Sequence, residues 1–302
     1  MEMTFLDRLL RFNRRVEAQF PPTGGFITVQ GRRVHVLRRG PRGATLVVLI
    51  HGASGNVRDW EMSLLPKLSE THHVIAFDRP GFGFSNALPD HGWRLTDQIA
   101  HLRAALAHLG VNRFVLAGHS YGGSLAMRWA QDHPGDLAGL ALISAPVMDW
   151  GGGGIGAHYH VGGRAGLGDL LAQLVRFTAT ESYLTDAIET VFEPQDLPCR
   201  YLKDGGVQLA LRPHTFRTNS AMMLRLYRQM AEQAPRNEQV SVPLEIIHGD
   251  ADTIVPAFVH AGPLSKLLPH ARLTLMRGIG HMPHHEKPEA ILAAINRLAA
   301  QA

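Results

Sequence analysis

From Phe5 onward, apolar residues recur three or four apart through Leu9, Phe12, Val16 and Phe20. That is the period of one helical face. Arg8, Arg11, Arg14 and Arg15 occupy much of the remaining surface. The spacing predicts an N-terminal amphipathic helix within residues 1–22, packed by its apolar stripe on the body of the protein. Pro21-Pro22 and Gly24-Gly25 end it. An anionic membrane surface or a second subunit is the alternative partner for such a face.

The period then shortens to two. Residues 26–29 and 33–37, joined by Gln30-Gly31-Arg32, read as a hairpin. Residues 45–50 form an unbroken apolar run, as expected for a strand buried on both faces. Segments alternate from there: helix 60–68, strand 73–77, helix 96–109 closed by Gly110, strand 114–117, helix 124–132 and strand 137–143. This is the rhythm of βαβ units in a mostly parallel sheet. It stops near Pro146. Glycine-rich stretches and helical fragments at 167–177, 183–191 and 221–230 follow. The strand pattern resumes at 244–248 and 272–276, and a helix over 289–298 closes the chain. The expected architecture is an α/β core of residues 23–146 and 237–302, interrupted by a mainly helical cap at 147–236.

The 302 residues are 45% hydrophobic and 19% charged, which is enough apolar material for a sizeable core and excludes a disordered chain. The net charge of +4 comes from scattered arginines. No zinc-finger spacing, aromatic RNA-binding signature or basic tail accompanies it, so no nucleic-acid partner is expected. No run of about 18 apolar residues marks a membrane span, and the first residues do not form a signal peptide. The single Cys199 excludes an internal disulfide and a cysteine-cluster metal site. Together these features point to the cytoplasm. The N-terminal helix and the cap each offer a surface for a homo-oligomer.

Candidate chemistry concentrates in Gly118-His119-Ser120-Tyr121-Gly122-Gly123. This Gly-x-Ser-x-Gly lies between an apolar strand and a helical segment. A sharp strand-to-helix turn would expose Ser120 Oγ and aim the amide end of the helix at developing negative charge. A serine hydroxyl needs a base, and the base needs an orienting acid. Asp250 and Asp252 follow the apolar run at 244–248, and His281, His284 and His285 follow the one at 272–276. Asp149 is a further candidate acid. A metal held by His281, His284, His285 and Glu286 is an alternative reading. It lacks His-Glu-x-x-His spacing, and a serine activated by a base needs no metal, so no metal or cofactor is expected.

These motifs, in this order, resemble the α/β-hydrolase superfamily in its cap-bearing serine hydrolase branch, over roughly residues 25–298. His51-Gly52-Ala53-Ser54-Gly55-Asn56 is similar to the oxyanion loop, Asp78-Arg79-Pro80-Gly81-Phe82-Gly83-Phe84-Ser85 to the loop after the next strand, and the Ser120 motif to the nucleophile elbow. The resemblance implies an α/β-hydrolase fold, with a mostly parallel central sheet flanked by helices. It implies a triad of Ser120, Asp252 and His281, and an oxyanion hole made by the backbone N–H groups of Ala53 and Tyr121. His51, Asp78 and Arg79 would brace loops. Serine at 120 departs from the Asp nucleophile of haloalkane dehalogenases and most epoxide hydrolases. The cap is expected to set the substrate, with Trp150, Phe177, Tyr183, Phe216, Met222 and Tyr227 as candidate pocket residues. The expected activity is hydrolysis by water of a carboxylic ester of a small to medium, moderately apolar substrate through an acyl-enzyme. Carbon–carbon bond hydrolysis, cofactor-free haloperoxidase or perhydrolase chemistry, and ligand binding without turnover are the alternatives.

Overall fold

The computed structural model describes residues 5–152, 157–164, 168, 171–172 and 181–301. Eight strands form one sheet: β1 (Gly25–Val29), β2 (Arg32–Arg39), β3 (Leu46–Ile50), β4 (His73–Phe77), β5 (Phe114–His119), β6 (Leu137–Ile143), β7 (Leu244–Gly249) and β8 (Arg272–Met276). Their order is β1-β2-β4-β3-β5-β6-β7-β8. The opening hairpin and the β2–β4 pair are antiparallel, and every pair from β4 to β8 is parallel.

The unbroken apolar run of β3 has a direct structural reason. Successive side chains of a strand point to opposite faces. Val48 and Ile50 enter one buried cluster with Val36, Ile75, Phe77 and Leu116. Val47 and Leu49 enter the other with Val74, Ala76, Val115 and Ala117. The helices Leu95–His108 and Tyr121–Asp132 cover the first face through Leu102, Leu106, Leu125 and Trp129. Trp60, Leu64, Leu68, Ile291, Ile295 and Leu298 cover the second. Each parallel strand therefore ends its C-terminal edge on the same side of a sheet sealed above and below. That edge is where an open α/β sheet leaves room for a site.

Two expected helices differ in extent. The segment expected as one helix over 60–68 is two short helices, Arg58–Glu61 and Leu65–Leu68. Pro66 explains the break. It has no N–H to donate, and its ring is tolerated only in a first helical turn. The fragment expected at 221–230 is the C-terminal half of a longer helix, Pro213–Gln233. Thr215, Arg217, Thr218, Asn219 and Ser220 in its first turns are buried although polar, so an apolar period does not reveal them. Its second half, through Met222, Leu226 and Met230, joins the main core cluster.

Between β6 and β7 the chain makes its helical excursion, with helices Ala157–Gly162, Glu181–Phe192, Tyr201–Asp204 and Pro213–Gln233. The helix expected at 167–177 lies largely outside the described residues. At the N-terminus, the helix Phe5–Gln19 docks its C-terminal half on the body. Val16 and Phe20 pack with Phe84 and Leu209, and Glu17 pairs with the buried guanidinium of Arg212 at 2.7 Å. Among the described residues, no helix is long and apolar enough to cross a membrane.

The carboxylate of Glu245, buried in β7, is met in a two-point pair by Arg297 Nε and Nη2 at 2.7 and 2.8 Å. Arg297→Met leaves that charge without a partner. It should lower stability by about 2 kcal/mol, less than the full cost of an orphaned buried ion because Arg297 itself is partly exposed. Urea unfolding of the variant beside wild type measures this.

Candidate active site

β5 runs into the helix Tyr121–Asp132 with a single residue, Ser120, between them. Ser120 takes φ 51° and ψ −122°, a left-sided conformation that costs an L-residue on the order of 1–3 kcal/mol. Its own backbone bonds hold it there. Its N–H donates to Ile143 O at 2.9 Å, and its carbonyl accepts from Gly123 N at 2.8 Å and Ser124 N at 3.2 Å. The turn is too crowded for side chains beside the serine. A Cβ on Gly118 would lie 2.3 Å from Gly122 O, and one on Gly122 would lie 2.3 Å from Ile50 O. The Gly-x-Ser-x-Gly spacing is therefore a steric requirement of the turn.

Ser120 Oγ lies 3.0 Å from His281 Nε2, and His281 Nδ1 lies 2.8 Å from Asp252 Oδ2. Asp252 Oδ1 accepts the N–H groups of Ile254 and Val255 at 2.9 and 2.8 Å, and His248 stands 3.3 Å from Oδ2. Burial by itself would raise the Asp252 pKa. The neighbouring His281, His248 and the Val255 amide outweigh it and hold the carboxyl well below the usual range. An ionised carboxylate on Nδ1 fixes the proton of a neutral His281 there and leaves Nε2 free to accept from Ser120.

The other candidates have different partners. Asp250 is exposed and accepts Gly278 N at 2.6 Å, stapling the loops after β7 and β8. Asp149 accepts Gly151 N at 2.8 Å in an exposed turn. His284 and His285 both donate toward Asp59, with Nε2 to carboxylate distances of 2.9 and 2.8 Å, and Tyr201 OH adds a third contact at 3.0 Å. Asp59, His284 and His285 are the one group of such donors, among the described residues, close enough to share a cation. Their hydrogen bonds argue for protons in that place. With Nε2–H on Asp59, His284 Nδ1 is a bare acceptor, and it has no hydrogen-bond partner among the described residues. Metal ligation through Nε2 would make it a buried, unsatisfied donor. Glu286 of the earlier metal reading is exposed and stands outside this group.

The loop of residues 51–56 lies against the elbow. A Cβ on Gly52 would sit 3.2 Å from Ser120 Cβ. Ala53 follows in the half-buried loop, and Tyr121 opens its helix, where the first N–H groups have no intrahelical acceptor. Ser54, at φ 55°, is braced from the excursion. Its N–H donates to Asn219 Oδ1 at 3.0 Å, and Asn219 Nδ2 donates to Ser54 Oγ at 2.8 Å. Asp78 accepts from His35 Nδ1 at 2.6 Å and from the amides of Val57 and Phe84 at 2.8 Å each. Asp78 thus ties three segments together, as expected of a bracing residue.

The expected pocket residues differ in burial. Trp150 is half-buried with its ring edge-on to His260 at 5.7 Å. Tyr227 is half-buried beside Gly152. Phe216 and Met222 are buried, with Met222 Sδ 3.4 Å from Arg79 Nη1. Tyr183 is 58% exposed. Phe177 lies outside the described residues. Trp60 is fully buried in the second core cluster.

Residues not singled out from the sequence also converge here. His119 Nε2 donates to the carbonyl of His281 at 3.0 Å, and its ring packs 4.3 Å from that of His284. Gln98 reaches Arg79 and Tyr121 from the first turn of the helix Leu95–His108. Polar type at an otherwise buried helical position is the one signal Gln98 gives in the sequence.

Residues 45–288 match the family described as the alpha/beta hydrolase fold. The chain belongs to that family. It is 27% identical over 256 residues to a protein of Cronobacter turicensis named as a carbamate hydrolase, RutD, covering 82% of this chain and 88% of that one. Among solved structures it resembles the meta-cleavage product hydrolase CumD of Pseudomonas fluorescens IP01, with TM-score 0.74, 19% identity, and 91% and 98% of the two chains covered. It also resembles the enol-lactonase of Burkholderia xenovorans LB400, with TM-score 0.68, 19% identity, and 91% and 100% covered. These structural likenesses show the fold.

The buried histidines give the fold a pH dependence. Burial, then the Arg79 charge, lowers the pKa of His51 to about 3. Burial, then His248, lowers that of His260 to about 4. Burial, then the neighbouring histidines, takes His119 well below its ordinary value. Between about pH 6.5 and pH 4 the unfolded chain binds these protons and the native chain does not, so stability must fall as pH falls through that window. Below about pH 4, protonation of the unfolded carboxylates corresponding to Asp252 removes more. Urea midpoints measured between pH 7.5 and pH 4 should decline steadily, and an unchanged midpoint contradicts the neutral-histidine assignment.

Proposed function

We propose that this α/β hydrolase is a serine hydrolase that cleaves a carboxylic ester of a small to medium, moderately apolar substrate through an acyl-enzyme. The observation that carries the reading is the continuous hydrogen-bonded chain from Ser120 Oγ through His281 to the ionised carboxylate of Asp252. The strained elbow that presents a half-buried Ser120 adds support.

In this reading Ser120 Oγ attacks the ester carbonyl carbon while His281 Nε2 takes its proton. The carbonyl oxygen becomes an oxyanion and accepts hydrogen bonds from the backbone N–H groups of Ala53 and Tyr121, each worth roughly 3 kcal/mol in the transition state. Asp252 holds the imidazole in its tautomer and stabilises the imidazolium. His281 then gives its proton to the departing alcohol as the carbon–oxygen bond breaks. A water, deprotonated by the same nitrogen, attacks the acyl-enzyme and releases the acid and free Ser120. No step requires a cofactor.

We assign residues 147–236 as the cap over this site and Trp150 and Tyr227 as the strongest candidates for pocket walls. Both are half-buried, and neither is sealed in the core as Met222 is. The relative named as a carbamate hydrolase adds carbamates to the acyl substrates worth testing, since attack on their carbonyl uses the same nucleophile and oxyanion donors.

Hydrolysis of 4-nitrophenyl esters from acetate to dodecanoate, with wild type beside Ser120→Ala, tests the reading. Wild type should show a chain-length optimum, and Ser120→Ala should lose at least about 10³-fold in kcat while melting within a few degrees of wild type. Undiminished turnover by folded Ser120→Ala removes the assignment. Binding of esters with no turnover by wild type favours the ligand-binding alternative.

A further inference from the structure

Arg79 is fully buried, and among the described residues no carboxylate lies within ion-pair distance of it. Burial lowers its pKa to about 10, which leaves it a cation at neutral pH. A lone buried charge is costly unless dipoles and rings surround it closely. Those surrounding Arg79 belong to the two halves of the proposed oxyanion hole. Nε donates to His51 O at 3.0 Å and Nη2 to Gly52 O at 2.9 Å. Nη1 donates to Gln98 Oε1 at 3.0 Å. The guanidinium carbon stands 4.4 Å from the centre of the Tyr121 ring and 4.3 Å from that of Phe82, within cation–π range. Gln98 Nε2 closes the circuit on Tyr121 OH at 3.1 Å.

The carbonyl of Gly52 has a second donor. The backbone N–H of Arg79 donates to His51 Nε2 at 2.9 Å, so that nitrogen is unprotonated and the ring proton sits on Nδ1. His51 Nδ1 is 2.9 Å from Gly52 O and donates to it. Two donors thus hold this one carbonyl inward. In a trans peptide unit the C=O and the N–H point in opposite directions. Fixing the Gly52 carbonyl on Arg79 and His51 therefore aims the N–H of the same unit, that of Ala53, away from them. The missing side chain of Gly52 faces Ser120 Cβ and His119 Nδ1, at 3.2 and 3.1 Å from a notional Cβ. The peptide thus has Arg79 and His51 on its carbonyl and the proposed nucleophile close by.

We propose that Arg79 is a positioning residue for oxyanion stabilisation: one guanidinium fastens the Gly52 carbonyl and the Tyr121 ring, and so sets the direction of both backbone N–H donors. The inference rests on the reading of Ser120 as the nucleophile. Arginine suits the position because its planar fork reaches three acceptors at once and stacks on two rings. A lysine carries the charge but cannot hold that many fixed directions.

The test uses the full chain with Arg79→Lys and Arg79→Met, thermal melting to confirm folding, and labelling of Ser120 by a fluorophosphonate to count competent sites. The kinetics of 4-nitrophenyl butyrate and the Kd of n-butylboronic acid, which forms a tetrahedral anionic adduct on the serine, are then measured per labelled site. Both variants should lose about 10²-fold in kcat with KM changed by less than about threefold, and boronate affinity should fall in parallel. A merely structural role would lower the count of labelled sites and leave these per-site values unchanged. Should neither Arg79 variant fold, Gln98→Met, which removes the Gln98 bonds to Nη1 and Tyr121 OH, decides by the same readouts with an expected loss of about 10-fold in kcat. Wild-type per-site kcat and boronate affinity in a folded variant overturn the positioning role alone. If wild type is neither labelled at Ser120 nor active on any ester, the hydrolase reading fails and this inference with it.

Discussion

A serine held at positive φ between a buried strand and a buried helix is an unstable arrangement in isolation. It persists because its surroundings leave the chain no alternative. Gly118, Gly122 and Gly123 sit where any side chain would collide with Gly122 O, Ile50 O or Ala145 Cβ. The Ser120 amide is tied to the end of β6. The apolar core on both faces of β5 supplies the rigidity that the turn spends, because strand and helix cannot move apart without exposing Leu116, Leu125 and Trp129. Every other feature of the site is arranged around a hydroxyl whose position is fixed in this way.

The loops above the sheet are held by a different means. Apolar packing seals the layers, but at the C-terminal edge of the strands the contacts are buried polar groups, each shared by several segments. Asp78 joins β2, the segment entering the helix Arg58–Glu61 and the loop after β4. Asp59 joins that helix to the residues after His281 and to Tyr201 of the excursion. Arg79 joins the loop of His51 and Gly52 to the helix of Gln98 and to Tyr121. Such groups are costly when one partner is missing and rigid when all are present. A reaction that requires donors fixed to a fraction of an ångström gains from that all-or-none character.

This division explains what the sequence makes legible. Period and run length report the burial of apolar side chains, so β3, β4 and β6 and the two-layer cover are readable, as is the turn at Ser120 from its flanking glycines. Buried polar positions carry no such period. The first turns of Pro213–Gln233 were invisible because Thr215, Thr218 and Asn219 are buried without being apolar. His284 and His285 stand in the sequence only as rival bases or metal ligands, because their acid, Asp59, is more than two hundred residues away in the chain. His119 occupies the free position of the Gly-x-Ser-x-Gly pattern, and its bond to the His281 carbonyl exists only once β5 and the last loop meet. The choice of Asp252 over Asp250 likewise needed more than spacing. Both follow β7 within three residues, and only the fold turns one toward His281 and the other toward Gly278.

The helix Pro213–Gln233 complicates a division of labour between core and cap. Its later residues Met222, Leu226 and Met230 belong to the main core, while Asn219 one turn earlier grips Ser54 in the oxyanion loop. Gln229 and Gln233 bond Leu95, Trp93 and Ser124, which lie at the ends of the two helices on the first face of the sheet. A cap that only covered the site could vary freely to change substrate. Here one helix of the excursion is continuous with the packing that orients the loop of Ser54. If the excursion caps the site as proposed, changes of specificity are confined to the parts of it that do not share those contacts. Trp150 and Tyr227 lie outside the buried set, whereas Asn219 and Met222 lie inside it. In the proposed reading, substitution at the first pair reshapes a pocket wall, while substitution at the second disturbs the geometry on which acyl transfer would depend.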